Sequence, residues 1–323
     1  MGVNIKKVFV YAAGGLGNQL FQLAAGYSIS SGRELVCEVG FSGPRKDLYA
    51  RSVLESLSLN GLVILRKSNK LKIFTQTLLD YLLRVSTKTS GLESAQIYRA
   101  LISLAGSLYF SVYYKCFLAI SLSKGVGYCA LPKLKNNQMI IGYFQSHRYL
   151  EEEHKKEPFL NLLTLSKPGP QWLHWSQRAL DEKPVIVHIR LGDYLLEKSF
   201  GIVTTSYISE SLSRLGVVPD DRPIWVFTDQ KTLASSILPP NYSERAVWVP
   251  EIDSDPMATL SIMRLGTGYV IANSSFSWWA AWSRKTFESP VYCPHPWFSG
   301  SETPKDLLPK YWIQVETNFK DQK

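Results

Sequence analysis

Short apolar runs ending in glycine or polar clusters alternate along this chain with segments of helical period. Lys7–Tyr11 (KVFVY) predicts a buried strand, broken off by Gly14-Gly15. Gly17–Ser30 then predicts a helix, with Leu20, Leu23 or Ala24, and Tyr27 on one face. Glu34–Val39 predicts a second strand, so the chain opens as strand, glycine turn, helix, strand, the start of a parallel α/β sheet. The stretch 60–125 has helical character throughout, and Met139–Phe144 predicts a further strand. Lys155–Pro170, with Pro158, Pro168 and Pro170, reads as a linker.

Beyond that linker the alternation restarts. Strands are predicted at Pro184–Ile189, Pro223–Thr228, Ala246–Val249 and Tyr269–Ala272. Helices are predicted at Tyr207–Leu215, near Lys231–Ile237, at Met257–Arg264 and from Ser277 to Trp282. Two successive α/β stretches of similar size predict an α/β fold with two Rossmann-like halves facing a cleft, divided as 1–165 and 166–323. No short-period repeat and no low-complexity tract interrupts them.

Composition sharpens this without redirecting it. The 323 residues are 45% hydrophobic and 12% aromatic, which excludes a disordered or fibrous chain. The net charge of +9 arises largely outside the motifs, at Arg66, Lys67, Lys70, Lys72, Lys155 and Lys156, and fits either a solvated surface or anionic partners. The four cysteines form no CxxC pair, so no zinc site or disulfide scaffold is indicated, and a reducing compartment fits. The opening MGVNIKKVFVYAAGG lacks the pattern of a secretory signal, and Lys6 breaks the myristoylation pattern. Ala100–Tyr114 is uncharged but too short to span a bilayer, and reads as a buried or membrane-touching helix.

Four motifs stand where strands end. In Gly14-Gly-Leu-Gly-Asn-Gln19 the glycines allow backbone N–H groups to approach a phosphate or sugar, and the amides of Asn18 and Gln19 stand at a helix start. A dinucleotide fingerprint is the rival: Gly15, Gly17 and Glu38 match it, but Leu20 stands where its third glycine belongs. A tight turn alone also accounts for the pattern. In His188-Ile-Arg-Leu-Gly-Asp-Tyr194, Arg190 can clamp a phosphate, or can simply pair with Asp193. In Phe227-Thr-Asp229 the carboxylate can accept from ribose or base, or Thr228 or Asp229 can cap a helix. In Asn273-Ser-Ser-Phe-Ser-Trp-Trp279 the hydroxyls of Ser274, Ser275 and Ser277 sit at a helix N-terminus, where anions are favoured. Trp278, Trp279 and Trp282 continue along that helix and read as core. Asp253-Ser-Asp255 could hold a divalent cation, but Pro256 makes Asp255 equally a helix start. The histidines show no metal-ligand spacing, and metal-independent chemistry is favoured.

Five segments in order, GGLGNQLFQ (14–22), GYFQSHRYL (142–150), HIRLGDY (188–194), FTD (227–229) and NSSFSWWAAW (273–282), resemble the α-1,2-fucosyltransferase family. The resemblance implies a GT-B-like architecture and inverting transfer of L-fucose from GDP-β-L-fucose to the 2-hydroxyl of a galactoside, without a metal or other cofactor. By position, Arg190 is expected to neutralise the diphosphate and His188 to line the same pocket. Asp229, Asn273, Ser274, Ser275 and Phe276 are expected to hold guanosine and phosphate. Gly15, Gly17, Asn18 and Gln19 are expected to reach the donor from the other half. Asp193 is either a base or the group that orients Arg190. The family pattern HxRRGDY has a second arginine where this chain has Leu191, which throws weight onto Arg190. The implied partners are GDP-fucose and a galactose-terminated oligosaccharide, with a lipid-linked repeat of a surface polysaccharide as the candidate acceptor, and no nucleic acid. The implied place is the cytoplasm, with a peripheral contact at the inner membrane. An NAD-type oxidoreductase and an inactive glycan- or nucleotide-binding homologue are the alternatives.

Overall fold

The computed structural model describes residues 6–39 apart from 32, and 119–319 apart from 124, 134–135, 198 and 217–221. Between 40 and 118 it describes 63–66 and most of the stretch 97–107. The chain divides into two compact units, Met1–Ser166 with Pro304–Leu307, and Lys167–Thr303 with Leu308–Lys323.

In the first unit, β1 (Lys7–Ala12), β2 (Glu34–Val39), β3 (Val63–Arg66), β4 (Ala119–Leu122) and β5 (Gln138–Ile141) form one parallel sheet in the order β3-β2-β1-β5-β4. β1 is interior and fully apolar after Lys7, as a strand covered on both faces must be. The helix α1 (Leu16–Ser30) crosses back over the sheet, and Gly26 lets it seat on β1: a Cβ there would collide with Val10. β3 and β4 correct the helical reading of 60–125, whose remaining residues lie largely outside the described set. The predicted strand at 139–144 ends at Ile141, because Gly142 turns to φ +152° and Phe144 to φ +52°. The expected linker Lys155–Pro170 begins inside a helix, α2 (Glu153–Leu162), which carries Pro158 and packs Phe159 against Tyr27 of α1 at 5.5 Å between ring centres, and the division between the two units falls in its second half, after Ser166. Asp306, far along the sequence, joins this unit: its carbonyl accepts from the Ser146 hydroxyl at 2.7 Å and its carboxylate pairs with Arg148 at 3.1 Å.

The second unit enters through α3 (Pro170–Glu182) and continues with β6 (Val185–Ile189), α4 (Thr205–Arg214) and β7 (Ile224–Thr228). Then come α5 (Lys231–Ile237), α6 (Pro240–Ser243), β8 (Ala246–Trp248), α7 (Pro256–Met263) and β9 (Gly268–Val270). It closes with α8 (Ser275–Trp282), β10 (Val291–His295) and β11 (Ile313–Glu316). The six strands are parallel, in the order β11-β10-β9-β6-β7-β8. Counted within the unit, that is the doubly wound order 3-2-1-4-5-6, whose direction reverses between β6 and β9. The fold is therefore α/β with two parallel, Rossmann-like sheets, as the GT-B-like expectation requires.

Trp278, Trp279 and Trp282 of α8 are buried, with Trp278 and Trp282 stacked at 5.6 Å and Trp312 against them. This apolar anchor fixes the N-terminus of α8 beside the end of β9. Of the uncharged stretch after Ala100, residues 100–104 are helical, with Ile102 buried and Leu101 and Leu104 exposed. Among the described residues no helix is long and apolar enough to cross a membrane. Cys37, Cys129 and Cys293 are buried and in no disulfide, and Cys116 lies outside the described set.

Candidate functional site

The reversal between β6 and β9 opens a crevice at the carboxyl ends of the strands, the position at which doubly wound sheets bind ligands. β6 delivers Arg190 there, β9 delivers Asn273, Ser274 and Ser275, and β7 delivers Asp229. Strand alternation sorts the neighbours. Val187, Ile189 and Leu191 enter the apolar core, and Leu191 is only 1% exposed. The second arginine of the family pattern thus corresponds to a core position in this chain.

Arg190 meets two carboxylates. Its Nε and Nη2 donate to Asp193 Oδ1 at 3.1 and 2.8 Å, and its Nη1 pairs with Asp229 Oδ2 at 3.0 Å. Asp229 Oδ1 also accepts the Leu191 N–H at 3.0 Å. Gly192 makes room for this approach, since a Cβ there would collide with the Asp229 carboxylate. Burial alone would lower the Arg190 pKa; the charges of Asp229 and Asp193 outweigh it and hold the guanidinium above its ordinary value. The sequence left two readings of Arg190 open, and the ion pair is now in view. It leaves guanidinium N–H groups at Nη1 and Nη2 beyond those already bonded, so pairing and phosphate binding coexist.

His188 is buried, and its Nδ1 has no hydrogen-bond partner. Burial, reinforced by the Arg190 charge and opposed by Asp229, pushes its pKa down to about 3. A neutral imidazole therefore lies beside the arginine, 6.0 Å from the ring of Phe276.

Asn273 acts as a clamp. Its Nδ2 donates to the carbonyls of Phe200 at 2.6 Å and Gly201 at 3.2 Å, and its own carbonyl accepts from the Tyr194 hydroxyl at 3.0 Å. The Tyr194 ring packs on Phe200 at 4.8 Å, and burial raises its hydroxyl pKa above the ordinary value. These contacts tie the segment from Arg190 to Gly201 onto the end of β9. Ser274 caps α8 by accepting the Phe276 N–H at 3.3 Å, and Ser277 donates back to the Ala272 and Ser274 carbonyls at 3.2 Å each. Ser275 and Phe276 open α8 and are half-buried. Tyr194, Gly192 and Phe200 were not singled out from sequence; the residues flanking Arg190 in HIRLGDY were the available signal.

The first unit has a switch of its own between β1 and β5. Gly14 takes φ +80°, and the Gly15 carbonyl accepts from Asn18 and Gln19 N–H at 3.0 and 3.1 Å, starting α1. Gln22 bridges the two strand ends, accepting from Ala13 N–H and donating to the Gly142 carbonyl, both at 2.8 Å. Asn18 Oδ1 accepts from Gln145 Nε2 at 2.7 Å. Gln19 is fully buried and turns its Nε2 to the Gly14 carbonyl at 2.9 Å, so it builds the turn rather than facing outward. Gly17 and Leu20 are buried, while Gly15 is exposed. Sequence reasoning missed Gln145 and Gln22, although both lie inside the quoted segments.

Asp253 and Asp255 serve as helix caps. The Asp253 carboxylate accepts from Gln171 N–H at 3.1 Å and Trp172 N–H at 3.0 Å at the start of α3, and Asp255 accepts from Met257 N–H at 2.8 Å at the start of α7. Among the described residues no group of three or more His, Cys, Asp or Glu is arranged to hold a metal ion.

No family model matches the chain. Two curated glycosyltransferases do, over nearly the whole length. The α-1,2-colitosyltransferase of Escherichia coli is 27% identical over 311 residues, covering 94% of this chain and 97% of that protein. The O-antigen biosynthesis glycosyltransferase WbnK of Escherichia coli is 24% identical over 318 residues, covering 94% and 98%. Among solved structures, the fucosyltransferase NodZ from Bradyrhizobium has a TM-score of 0.49 at 13% identity, with coverage of 87% and 94%. The glycosyl transferase family 9 protein from Veillonella parvula has a TM-score of 0.45 at 11% identity, with coverage of 98% and 87%. The chain is thus similar to glycosyltransferases over 94% of its length.

Proposed function

We propose that this protein is an inverting glycosyltransferase that moves L-fucose from GDP-β-L-fucose to the 2-hydroxyl of a galactose residue in an oligosaccharide, without a metal ion. The observation that carries this reading is the doubly anchored guanidinium of Arg190 at the strand-end switch of the second unit, beside neutral His188 and the N-terminus of α8. Breaking a bond from sugar C1 to a diphosphate leaves negative charge on the departing phosphate. A fixed arginine and helix-terminal N–H groups stabilise charge that develops there, and removing one such donor typically costs about 3 kcal/mol of barrier. Within this reading Ser274, Ser275 and Phe276 offer the helix end to phosphate and guanosine, and Asn273 holds the site's shape. At the first unit's own switch, this reading assigns Gly15, Gly17 and Asn18 to sugar hydroxyls.

A second donor is favoured by one specific observation: a relative of matching length transfers colitose with the same α-1,2 linkage. Colitose lacks the 3-hydroxyl of fucose, so the two donors share the diphosphate chemistry and differ at one sugar position. The similarity to an O-antigen biosynthesis glycosyltransferase supports an acceptor in a surface polysaccharide; within this reading it is a lipid-linked repeat at the cytoplasmic side of the inner membrane.

The test is transfer by the purified protein from GDP-fucose and from GDP-colitose to β-galactosides in excess EDTA, with linkage read by NMR. Transfer from GDP-fucose to the 2-position is expected; faster transfer from GDP-colitose would move the assignment to that donor. Failure to bind or use either donor would sink the reading. Arg190→Ala is expected to lower kcat/KM by about two orders of magnitude, the equivalent of the loss of one preorganised donor, with the melting temperature unchanged within a few degrees.

A further inference from the structure

Asn18 lies in the first turn of α1, and its side-chain amide has two ends of opposite polarity. The oxygen end is taken: Oδ1 accepts from Gln145 Nε2 at 2.7 Å. The nitrogen end lies over the glycine turn, with Nδ2 3.0 Å from where a Cβ on Gly14 would stand. Among the described residues no group accepts from Nδ2, and the neighbouring Gly15 is exposed. The turn thus offers free N–H donors beside its exposed glycine. Nothing within Asn18 chooses this polarity. The last torsion of an asparagine is broad and nearly twofold, so its two ends exchange at little cost and the neighbouring group decides. That neighbour, Gln145, is itself held. Its N–H donates to the Val126 carbonyl at 2.7 Å. Ser146, 3% exposed, donates to the Asp306 carbonyl at 2.7 Å and accepts the Arg148 N–H at 3.2 Å. The Arg148 guanidinium lies over the Tyr128 ring, 4.0 Å from its centre, and pairs with the Asp306 carboxylate. Pro304 closes on Gly127, where a Cβ would come within 2.9 Å of it. The stretch Pro304–Leu307 therefore straps together the two segments, 126–128 and 145–148, between which Gln145 is fixed.

We propose that Gln145 is a positioning residue for the transfer: anchored by this strap, it donates to Asn18 Oδ1 and so turns the Asn18 Nδ2 donors to a sugar hydroxyl at the glycine turn. Asn18 makes the contact, and Gln145 sets its polarity. With the amide reversed, a carbonyl would meet the hydroxyl oxygen lone pair to lone pair. A glutamine suits the task because its Nε2 can only donate. A glutamate there could only accept, and would draw Asn18 Nδ2 to itself. A leucine would leave the amide undirected.

The inference rests on the proposed function, and the two fail differently. Transfer from GDP-fucose and GDP-colitose to β-galactosides is measured, with melting temperatures, for wild type, Asn18→Ala, Gln145→Glu, Gln145→Leu and the double variant Asn18→Ala/Gln145→Glu. Gln145→Glu is expected to lower kcat/KM about tenfold and Gln145→Leu about threefold, the scale of one neutral hydrogen bond, with melting temperatures within a few degrees of wild type. Once Asn18 is alanine, Gln145→Glu should cost less than about twofold more, because no amide is left to turn. A full further loss in the double variant, or wild-type activity in Gln145→Glu, overturns the proposal. Should Gln145→Glu fail to fold, Gln145→Leu carries the same cycle. A wild-type protein inactive with both donors sinks the function reading, and the amide wiring is then decided without a substrate, by nitrogen-15 spectra of the side-chain amides. The Asn18 Nδ2 protons should resonate as unbonded in wild type and move downfield in Gln145→Glu, where a carboxylate accepts from them. An Asn18 Nδ2 already bonded in wild type, or unmoved in Gln145→Glu, overturns the proposal whatever the activity.

Discussion

The first unit's switch, between β1 and β5, is built from glycines and amides: Gly14, Gly15, Asn18, Gln22 and Gln145 bond to one another and to backbone. The second unit's switch, between β6 and β9, is built from charge: Arg190, Asp193 and Asp229, with a histidine kept neutral beneath them. The sheets share a parallel plan, and each turns direction at the strand whose exit carries the motif. The difference teaches that topology supplies the crevice, and side-chain chemistry decides what it takes. A neutral amide surface suits sugar hydroxyls; a pinned guanidinium beside a helix N-terminus suits phosphate.

The strongest way to break this contrast is to add charge where the second unit has none to accommodate it. Leu191→Arg restores the second arginine of the family pattern, and motif comparison alone would expect improved phosphate binding. Leu191 is 1% exposed and packs among Ile189, Val203 and Tyr207. An unpaired guanidinium there should cost roughly 3–5 kcal/mol, enough to abolish most folded protein. Leu191→Met, which conserves volume, should cost under about 1.5 kcal/mol. Both are read by chemical denaturation. A well-folded, more active Leu191→Arg protein would show that position 191 reaches the ligand.

A smaller effect separates the units by pH. His188 has a folded pKa of about 3 against an ordinary value of 6.5, so the unfolded chain takes up a proton that the folded chain refuses. Stability from this group is complete above pH 6.5 and is lost as pH falls toward 3, by about 1.4 kcal/mol per pH unit. Wild type should therefore lose about 2 kcal/mol more than His188→Asn between pH 6.5 and 4.5. Hydrogen exchange should show the extra loss in β6 and not in β1. An identical pH dependence in the two proteins would mean that His188 titrates normally.

Legibility in the sequence followed the same physics. β1, β2, β6, β7 and β9 read plainly because interior parallel strands are continuous apolar runs that end in turn chemistry. β10 escaped notice because Pro294 lies within it and proline argues against an interior strand. β11 (IQVE) and β4 (AISL) are too short and mixed to stand out. The prolines between Lys155 and Pro170 marked the boundary between the units, which falls after Ser166, but Pro158 hid α2, whose helix carries it internally. In the site, residue types at strand ends marked Arg190, Asp193 and Asp229. What spacing cannot show is that two aspartates separated by 36 positions turn to the same guanidinium, or that Asn273 and Gln19 spend their amides on backbone carbonyls. Those are outcomes of tertiary packing.

The gentlest test asks whether the neutral switch meets a ligand at all, and two adjacent glycines provide their own control. Gly14 sits at φ +80°, where a Cβ is strained and would also press on Asn18. Gly14→Ala should cost about 1–2 kcal/mol of stability, the penalty of a left-handed residue, whatever the turn does. Gly15 has φ −69°, and nothing lies within 4 Å of where its Cβ would be. Gly15→Ala should leave stability within about 0.5 kcal/mol of wild type, as exposed substitutions do. If backbone and sugar come together there, the added methyl stands in the way, and kcat/KM should fall roughly tenfold, or 1.4 kcal/mol, at an unchanged melting temperature. If Gly15→Ala is as active as wild type, the glycines serve only to turn the chain from β1 into α1. Recognition would then belong to the charged switch alone.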